Sequence, residues 1–443
     1  MALSRSVSVT DAAAVAAEGY VFGYPLVLMN RMRAWMTAVR EPDHVRMRAP
    51  LNTFVHAREV PEVTAGRPPG PRASTLRSCA WLDLGDTPVA LTVPEMHGRF
   101  YALSLIDLWT NVFASVGART TGTGCGTYVI AGPGANRAPI PPGALAISAP
   151  TRLIRIAGLT QIDGDGGCAD AHAVQNAYGL APLLPEGPVD EALERPGGRT
   201  PPIEQVERLD APAFFSELAD QMRDNPPRLE DRAIVDRMRR LGLLVEGDIG
   251  WPRLSHHVQR AVAEGAARGL ARVVAAAESP PGDAIGAWHI RYRLGQYGTD
   301  YLSRAGAACA GLESGRADDE LPALAQTDAD GRELSGRHAY AIPFSPGKLP
   351  PVHGFWTLTT YDARQSLVDN PVEPYSIGDW NDLVLEPDGA LTIRIQHADP
   401  FGSVPNWLPA PPGAFNLLLV LCWPEQEVLD RRWMPPAVMR MDA

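Results

Sequence analysis

The sequence predicts a mainly β protein with a helical middle: two β-sandwich or jelly-roll-like domains joined by α-helices. Three observations carry that reading. Short apolar runs broken by Gly/Pro turns fill residues 51–182 and again 321–443. Between them the spacing of apolar residues turns helical. The 41 glycines and 42 prolines form no repeat in a chain that is 45% hydrophobic, which means many turns around apolar cores rather than disorder.

Residues 1–50 form the first element, a helical segment. Thr10-Asp11 supplies an N-cap and an Ala-rich stretch follows. Pro25 is expected to break or restart the helix, because it lacks the N–H that a helix interior needs. Beyond it Leu26, Met29, Met32, Met36 and Val39 keep helical spacing. The run YVFGYPLVLM is too short to span a bilayer, and no secretory leader is visible, so a cytoplasmic protein away from membranes is expected.

Residues 51–182 read as the first β-sandwich domain. TPVALTVPEMHGRFYALSLID alternates as strands do, with Pro94 and Gly98 between two of them, and GTYVIAGPG, ALAISAPTRLIRIAG and HAVQNAYGLAPL are read as continuing the β pattern. Within this block Gly122, Gly124 and Gly126 look at first like a phosphate cradle. Such a cradle needs a helix directly after the glycines, whose free N–H groups face the phosphate. Here a β run follows instead, so the glycines are assigned to a hairpin or strand-edge turn.

Residues 183–320 open as a Pro/Gly/Glu-rich linker and become helical. Asp210 is a cap for APAFFSELADQMRDN, EDRAIVDRMRRLGLL follows, and Leu254, Val258, Val262, Ala266, Leu270 and Val274 share one face of a third helix. His256, His257 and Glu264 on that helix have no zinc-site spacing. Residues 321–443 form the second β-sandwich domain, through GRHAYAIPF, HGFWTLTTYD, GALTIRIQ and FNLLLVLCWP, with turns such as Pro387-Asp388-Gly389.

The formal net charge of −11 argues against a nucleic-acid-binding face. Five scattered cysteines without a CxxC pair read as reduced thiols, and neither a metal nor a nucleotide or redox cofactor is expected.

Most of the chain resembles a known pair of domains. TPVALTVPEMHGRFYALSLIDLWTNVFASVGARTTGTGCGTYVIAGPG, with AWLDL before it and APTRLIRIAG after it, is similar to the domain of unknown function 1254. LPPVHGFWTLTTYD, PYSIGDWNDLVLEPDGALTIRIQ, VPNWLPAPPGAFNLLLVLCWP and WMPPAVM resemble its usual companion, the domain of unknown function 1214. The resemblance implies a two-domain β-sandwich protein with a helical connection, often oligomeric, and brings no established reaction or catalytic residue set. The chain departs from the family pattern at Arg72, Ser74 and Arg77, where Asn, Asp and Tyr are expected. It departs again at Pro374, which replaces an arginine, and at Val420 and Cys422 in the family's Arg-x-Tyr-Trp-Pro segment.

Candidate chemistry concentrates in GRFYALSLIDLWTNVFASVGAR. Arg99, Asp107, Asn111 and Arg119 are all odd-numbered and would share a strand face with Tyr101 and Leu103 if strand geometry held throughout. They form either a polar floor, with arginines gripping an anion beside an acid–base carboxylate, or a buried Arg–Asp pair holding strands together. His56, His97 and His353 could each serve as a general base. Trp356 and Tyr361, near Tyr375, Asp379, Trp380, Asn406 and Trp407, are an aromatic wall or plugs for the end of a sandwich.

The leading expectation is a cofactor-free enzyme acting on a small, anionic organic substrate by hydrolysis, elimination or cyclisation, as in a specialised tailoring step. Asp107 or His97 is its acid/base, Arg77, Arg99, Asn111 and Arg119 bind the substrate, and Trp356 and Tyr361 shape the pocket, near the interface of the β domains and the helices. The alternative is a non-catalytic carbohydrate- or partner-binding sandwich protein. Either reading is compatible with a homo-oligomer.

Overall fold

Alternation along a single strand sets the layering of the N-terminal half. In β2 (Thr75–Asp83) Cys79 and Trp81 pack with the helices, whereas Ala80 and Leu82 pack into a β core. The computed structural model describes residues 9–59, 74–85, 87–134, 140–162, 168–184, 200–244, 250–279, 282–311, 315–368, 375–400 and 404–441.

β2 belongs to a five-stranded antiparallel sheet in the order β1 (Val55–His56), β2, β8 (Leu153–Gln161), β4 (Tyr101–Asp107), β5 (Val112–Gly117). Its inner face meets a four-stranded sheet in the order β7 (Leu145–Ser148), β6 (Gly126–Ala131), β3 (Val89–Val93), β9 (Gly179–Pro182). Leu82, Leu103, Leu105, Ile154 and Ile156 from the first sheet join Leu91, Val93, Tyr128 and Ile130 from the second in one core. Each fully buried side chain of this kind contributes about 1.5–3 kcal/mol.

Two local expectations meet different outcomes here. The glycine-rich stretch has a one-turn helix, α2 (Ala118–Thr121), before it, turns at Gly122 with φ +79°, and runs into β6. It is a strand-edge turn with no helix after it. HAVQNAYGLAPL, read as β, is instead the end of α3 (Cys168–Ala177) followed by the short β9. Gln175 explains the difference, since its buried amide donates to the Arg77 carbonyl at 3.1 Å and pins the helix onto the sheet.

The helices cover the outer face of the five-stranded sheet. α1 (Val9–Thr37) is surrounded by α4 (Pro202–Glu207), α5 (Ala211–Asp224), α6 (Arg232–Leu241), α7 (His256–Glu278) and α8 (Tyr301–Cys309). It runs unbroken through Pro25, and Asp11 lies in its first turn rather than capping it. An interior proline costs a helix ~3 kcal/mol. Tyr20, Phe22, Tyr24, Leu26, Val27 and Met29 are all buried around it, and that packing outweighs the loss. By length and composition α1 could cross a membrane, but most of its apolar stretch is buried inside the protein, as befits a core helix. α7 approaches it closely, with its buried face led by Gly265 and Gly269. A Cβ at Gly265 would sit 2.3 Å from the Ala13 carbonyl oxygen, and one at Gly269 2.7 Å from Tyr20 Cβ. Asp210 caps α5 as expected, its carboxylate accepting from the Ala213 N–H at 2.9 Å.

The second β unit pairs a six-stranded sheet, in the order β10 (Asp283–Ile285), β11 (Trp288–Ile290), β12 (Glu320–Ala325), β18 (Phe415–Cys422), β14 (Trp356–Asp362), β15 (Ser376–Gly378), with a four-stranded one, β17 (Trp407–Pro409), β16 (Leu391–Gln396), β13 (Ala339–Phe344), β19 (Met439–Met441). The first two strands of the larger sheet come from 283–290, ahead of the β texture read from 321. A last short helix, α9 (Gln426–Leu429), follows β18. All eight residues of β18 are buried because both its faces are covered. Leu417, Leu419 and Leu421 enter the second core, while Leu418, Val420 and Cys422 meet the first. The result is a two-domain β-rich fold with helices between.

Candidate functional site

The four polar residues of the β4–β5 region do not share a floor. Asp107 ends β4, Asn111 precedes β5, and the chain reverses between them with Thr110 at φ +68°. Ala102 pairs with Gly117, so Arg99 and Arg119 lie at the other end of the same hairpin. A seven-residue strand at ~3.3 Å per residue puts roughly 20 Å between the two pairs. Parity failed at the turn, and a register shift at Leu105/Ile106 breaks it within the hairpin as well.

At the Asp107 end the carboxyl is fully buried. Its Oδ1 accepts the Asn111 backbone N–H at 2.8 Å and the Asn111 amide at 3.3 Å, and its Oδ2 accepts from Arg228 Nη2 at 3.0 Å. Arg304 of α8 is also buried. It donates to the Phe22 carbonyl at 3.3 Å and lies 5.2–5.6 Å from the rings of Tyr301, Trp109 and Phe22. Burial pushes the Asp107 carboxyl up from its ordinary value, while Arg228, Asn111 and Arg304 pull it down. Burial pushes the Arg304 guanidinium down, opposed by Asp231 and Asp107. This cluster ties the hairpin turn to α1, α8 and the start of α6. It pairs the buried Asp107 with the partly exposed Arg228, and not with Arg99 or Arg119.

At the other end Arg119 Nε donates to the buried Asp319 carboxylate at 2.6 Å, bridging the first β unit to the second. Arg99 donates to the Gln161 carbonyl at 2.7 Å. His97 is exposed in the β3–β4 turn at φ +51°, far along the strand from Asp107. Arg77 is exposed on β2. Trp356 and Tyr361 are five residues apart on β14 and so face opposite ways. Trp356 packs against Phe344 in the second core, while Tyr361 is buried at the seam with the first. Of the departures from the family pattern, Val420 and Cys422 lie at that same seam and make it apolar, and Ser74 is buried. Arg72 and Pro374 fall outside the described residues.

A cavity of about 700 Å³ lies elsewhere, between the C-terminal half of α7, α8, the β10–β11 hairpin and the loop leading to Tyr297. Arg272, Arg291, Arg293, Tyr292 and Tyr297 line it with Asp283 and Asp300, over an apolar floor of Ala276, Ile290, Leu294 and Leu302. The helical period of α8 divides its residues. Ser303, Gly306 and Ala307 face the cavity, whereas Ala305, Ala308 and Cys309 join the helical core. Asp300 is occupied as the N-cap of α8, accepting from the Ser303 N–H at 3.2 Å and its hydroxyl at 2.7 Å. Burial raises the Tyr297 hydroxyl, which stays protonated as a donor. The Val112 N–H donates to the Gly295 carbonyl at 2.9 Å, so the hairpin turn backs the cavity wall.

None of the eight residues selected from the sequence lines this cavity. Its signal was WHIRYRLGQYGTD, where basic and aromatic residues alternate before a helix cap. Among the described residues no group of three His, Cys, Asp or Glu side chains is placed to hold a metal.

Comparison with known proteins agrees with this architecture. The described fold superposes on the VPA0106 protein from Vibrio parahaemolyticus with a TM-score of 0.70 at 19% identity, covering 97% of this chain and all of that one. An uncharacterized protein from Burkholderia cenocepacia aligns at a TM-score of 0.45 and 10% identity, over 96% of this chain and 88% of its own. No curated protein sequence matches. Residues 51–182 match the family described as Protein of unknown function (DUF1254) and residues 319–426 the one described as Protein of unknown function (DUF1214). The chain thus carries a DUF1254 match followed by a DUF1214 match, the pair of domains that its sequence resembles.

Proposed function

We propose that the protein binds a small organic anion with an apolar body in the cavity between α7, α8 and the β10–β11 hairpin. The observation that carries this reading is the lining itself: arginines, with Arg272 and Arg293 from two separate elements, stand over an apolar floor beside protonated Tyr297. Arginine grips a carboxylate or phosphate through paired N–H groups, and a pocket with a few polar groups on an apolar floor is the usual form of a small-molecule site. Asp300 is spent on the helix cap and Tyr297 is held protonated, so binding stands ahead of acid–base turnover.

The test is a thermal-shift and calorimetric screen of small carboxylates, phosphates and sulfonates against their neutral isosteres. At least one anion class is expected to raise the melting temperature, its neutral isostere to do so far less, and Arg272→Ala or Arg293→Ala to weaken binding by roughly tenfold. Anions that bind no better than their neutral isosteres, or affinity untouched by both substitutions, would overturn the reading.

A further inference from the structure

An anion site gains nothing from a carboxylate on its wall, yet Asp283 lines this one. The side chain that answers it comes from outside the cavity. Arg431, just after α9, forms an ion pair with Asp283, and its guanidinium also lies 4.5 Å from the centre of the Tyr292 ring. We propose that Arg431 is the specificity-determining residue of this cavity: it neutralises Asp283 and fixes Tyr292 at the rim, making the pocket more positive toward an incoming anion. This inference rests on the anion-binding reading above.

One feature argues for a role at the site over a role in folding. The left-handed backbone of Arg431 (φ +62°) is how α9 ends, its N–H donating to the Val428 carbonyl at 3.0 Å, and is a matter of folding. The ion pair that its side chain reaches, by contrast, is about half exposed on both sides, and such pairs return little stability. A weakly stabilising contact is best explained by what it does to its surroundings. Here the surroundings are the cavity. Its other carboxylate, Asp300, caps α8 through Ser303, and Asp283 is the one that Arg431 pairs with. At physiological salt an uncompensated charge acts over about 8 Å, far enough to be felt by a molecule entering beside it.

The potential inside the cavity can be read without knowing the natural ligand. In the full chain with the exposed and half-exposed cysteines removed (Cys125→Ser, Cys168→Ser), Ala307→Cys places a thiol on the cavity wall. Its rates of reaction with an anionic reagent, sulfonatoethyl methanethiosulfonate, and a cationic one, the trimethylammonium analogue, are then compared with the same ratio for glutathione. The anionic reagent is expected to be favoured at the introduced thiol. Adding Arg431→Ala should lower that preference by roughly threefold to tenfold, and adding Asp283→Asn to Arg431→Ala should restore it. Asp283→Asn alone should raise the preference, which gives a second reading should Arg431→Ala not fold. An unchanged ratio in Arg431→Ala, or a loss that Asp283→Asn does not reverse, would overturn the role of Arg431. A ratio no greater than that of glutathione before any of these changes would instead remove the anion reading on which it rests.

Discussion

Helix α8 has polar groups on two sides that live under opposite rules. On one side Arg304 is buried with Asp107 and Asp231, beside the partly exposed Arg228 and within reach of partners fixed by the fold. On the other, Ser303 and Ala307 open onto a cavity lined by Arg272 and Arg293, both exposed to solvent. The difference separates charges that build the protein from charges that can serve a ligand. A carboxylate that has given all its oxygens to the fold has little left for chemistry.

The largest expected effect tests the buried side. Removing the buried carboxylate leaves the Asn111 N–H unpaired and the buried Arg304 less compensated, while the partly exposed Arg228 still reaches water, so the cost falls at the lower end of the about 3–5 kcal/mol typical of a broken buried pair. Asp107→Ala should therefore lose that much stability in urea denaturation, while Arg293→Ala on the cavity wall stays within about 0.5 kcal/mol of the parent. If Asp107→Ala costs less than about 1 kcal/mol, the contrast between the two sides of α8 collapses.

A smaller effect comes from a buried group that avoids charge altogether. His56 on β1 is buried, with Nδ1 2.9 Å from the Ser78 hydroxyl, and desolvation, with smaller contributions from Arg58 and His44, holds its pKa down at about 4. The unfolded chain takes up a proton near pH 6.5 that the folded chain refuses until about pH 4. Its stabilising contribution is thus complete above pH 6.5 and lost as pH falls toward 4. His56→Gln should flatten the pH dependence of stability over that window by about 2–3 kcal/mol, measured as the difference between the two proteins' unfolding free energies at pH 7 and pH 4.5. Parallel pH profiles would show that His56 takes its proton without cost.

These groups also show how far the sequence could be read. The β textures, the Asp210 cap and the strand-edge turn at Gly122 are local, and local chemistry decided them. The Pro25 reading failed because a helix interior that is wrapped on every side can absorb a missing hydrogen bond, and the wrapping comes from far along the chain, Arg304 of α8 meeting Phe22 at a separation of 282 residues. The face predicted for α7 missed Gly265 and Gly269 because hydrophobicity scores cannot see that the closest contacts need the smallest side chains. The Arg99–Asp107–Asn111–Arg119 set was chosen by parity, which carries no memory through the Asp107–Asn111 reversal. The cavity draws on three separate stretches, 272–283, 290–297 and 300–310, and no single window contained it.

The smallest effect belongs to a group between the two regimes. Asp379 follows β15 beside Trp380, an exposed residue whose carboxyl accepts from backbone N–H groups yet is desolvated enough to sit at about pKa 6. A carboxyl raised in the folded state favours the neutral form, so the fold gains from protonation. The penalty enters as pH rises from about 4 through 6 and is full above that. Asp379→Asn keeps an oxygen for the backbone donors and removes the charge. It should leave stability nearly unchanged at pH 4 and raise it at pH 8, by less than about 1 kcal/mol because solvent screens an exposed group. A gain at pH 8 approaching the cost expected for Asp107→Ala would mean that this carboxyl belongs with the buried cluster. The absence of any pH-dependent gain would mean that water reaches it as freely as it reaches the cavity wall, leaving no intermediate case between the two sides of the comparison.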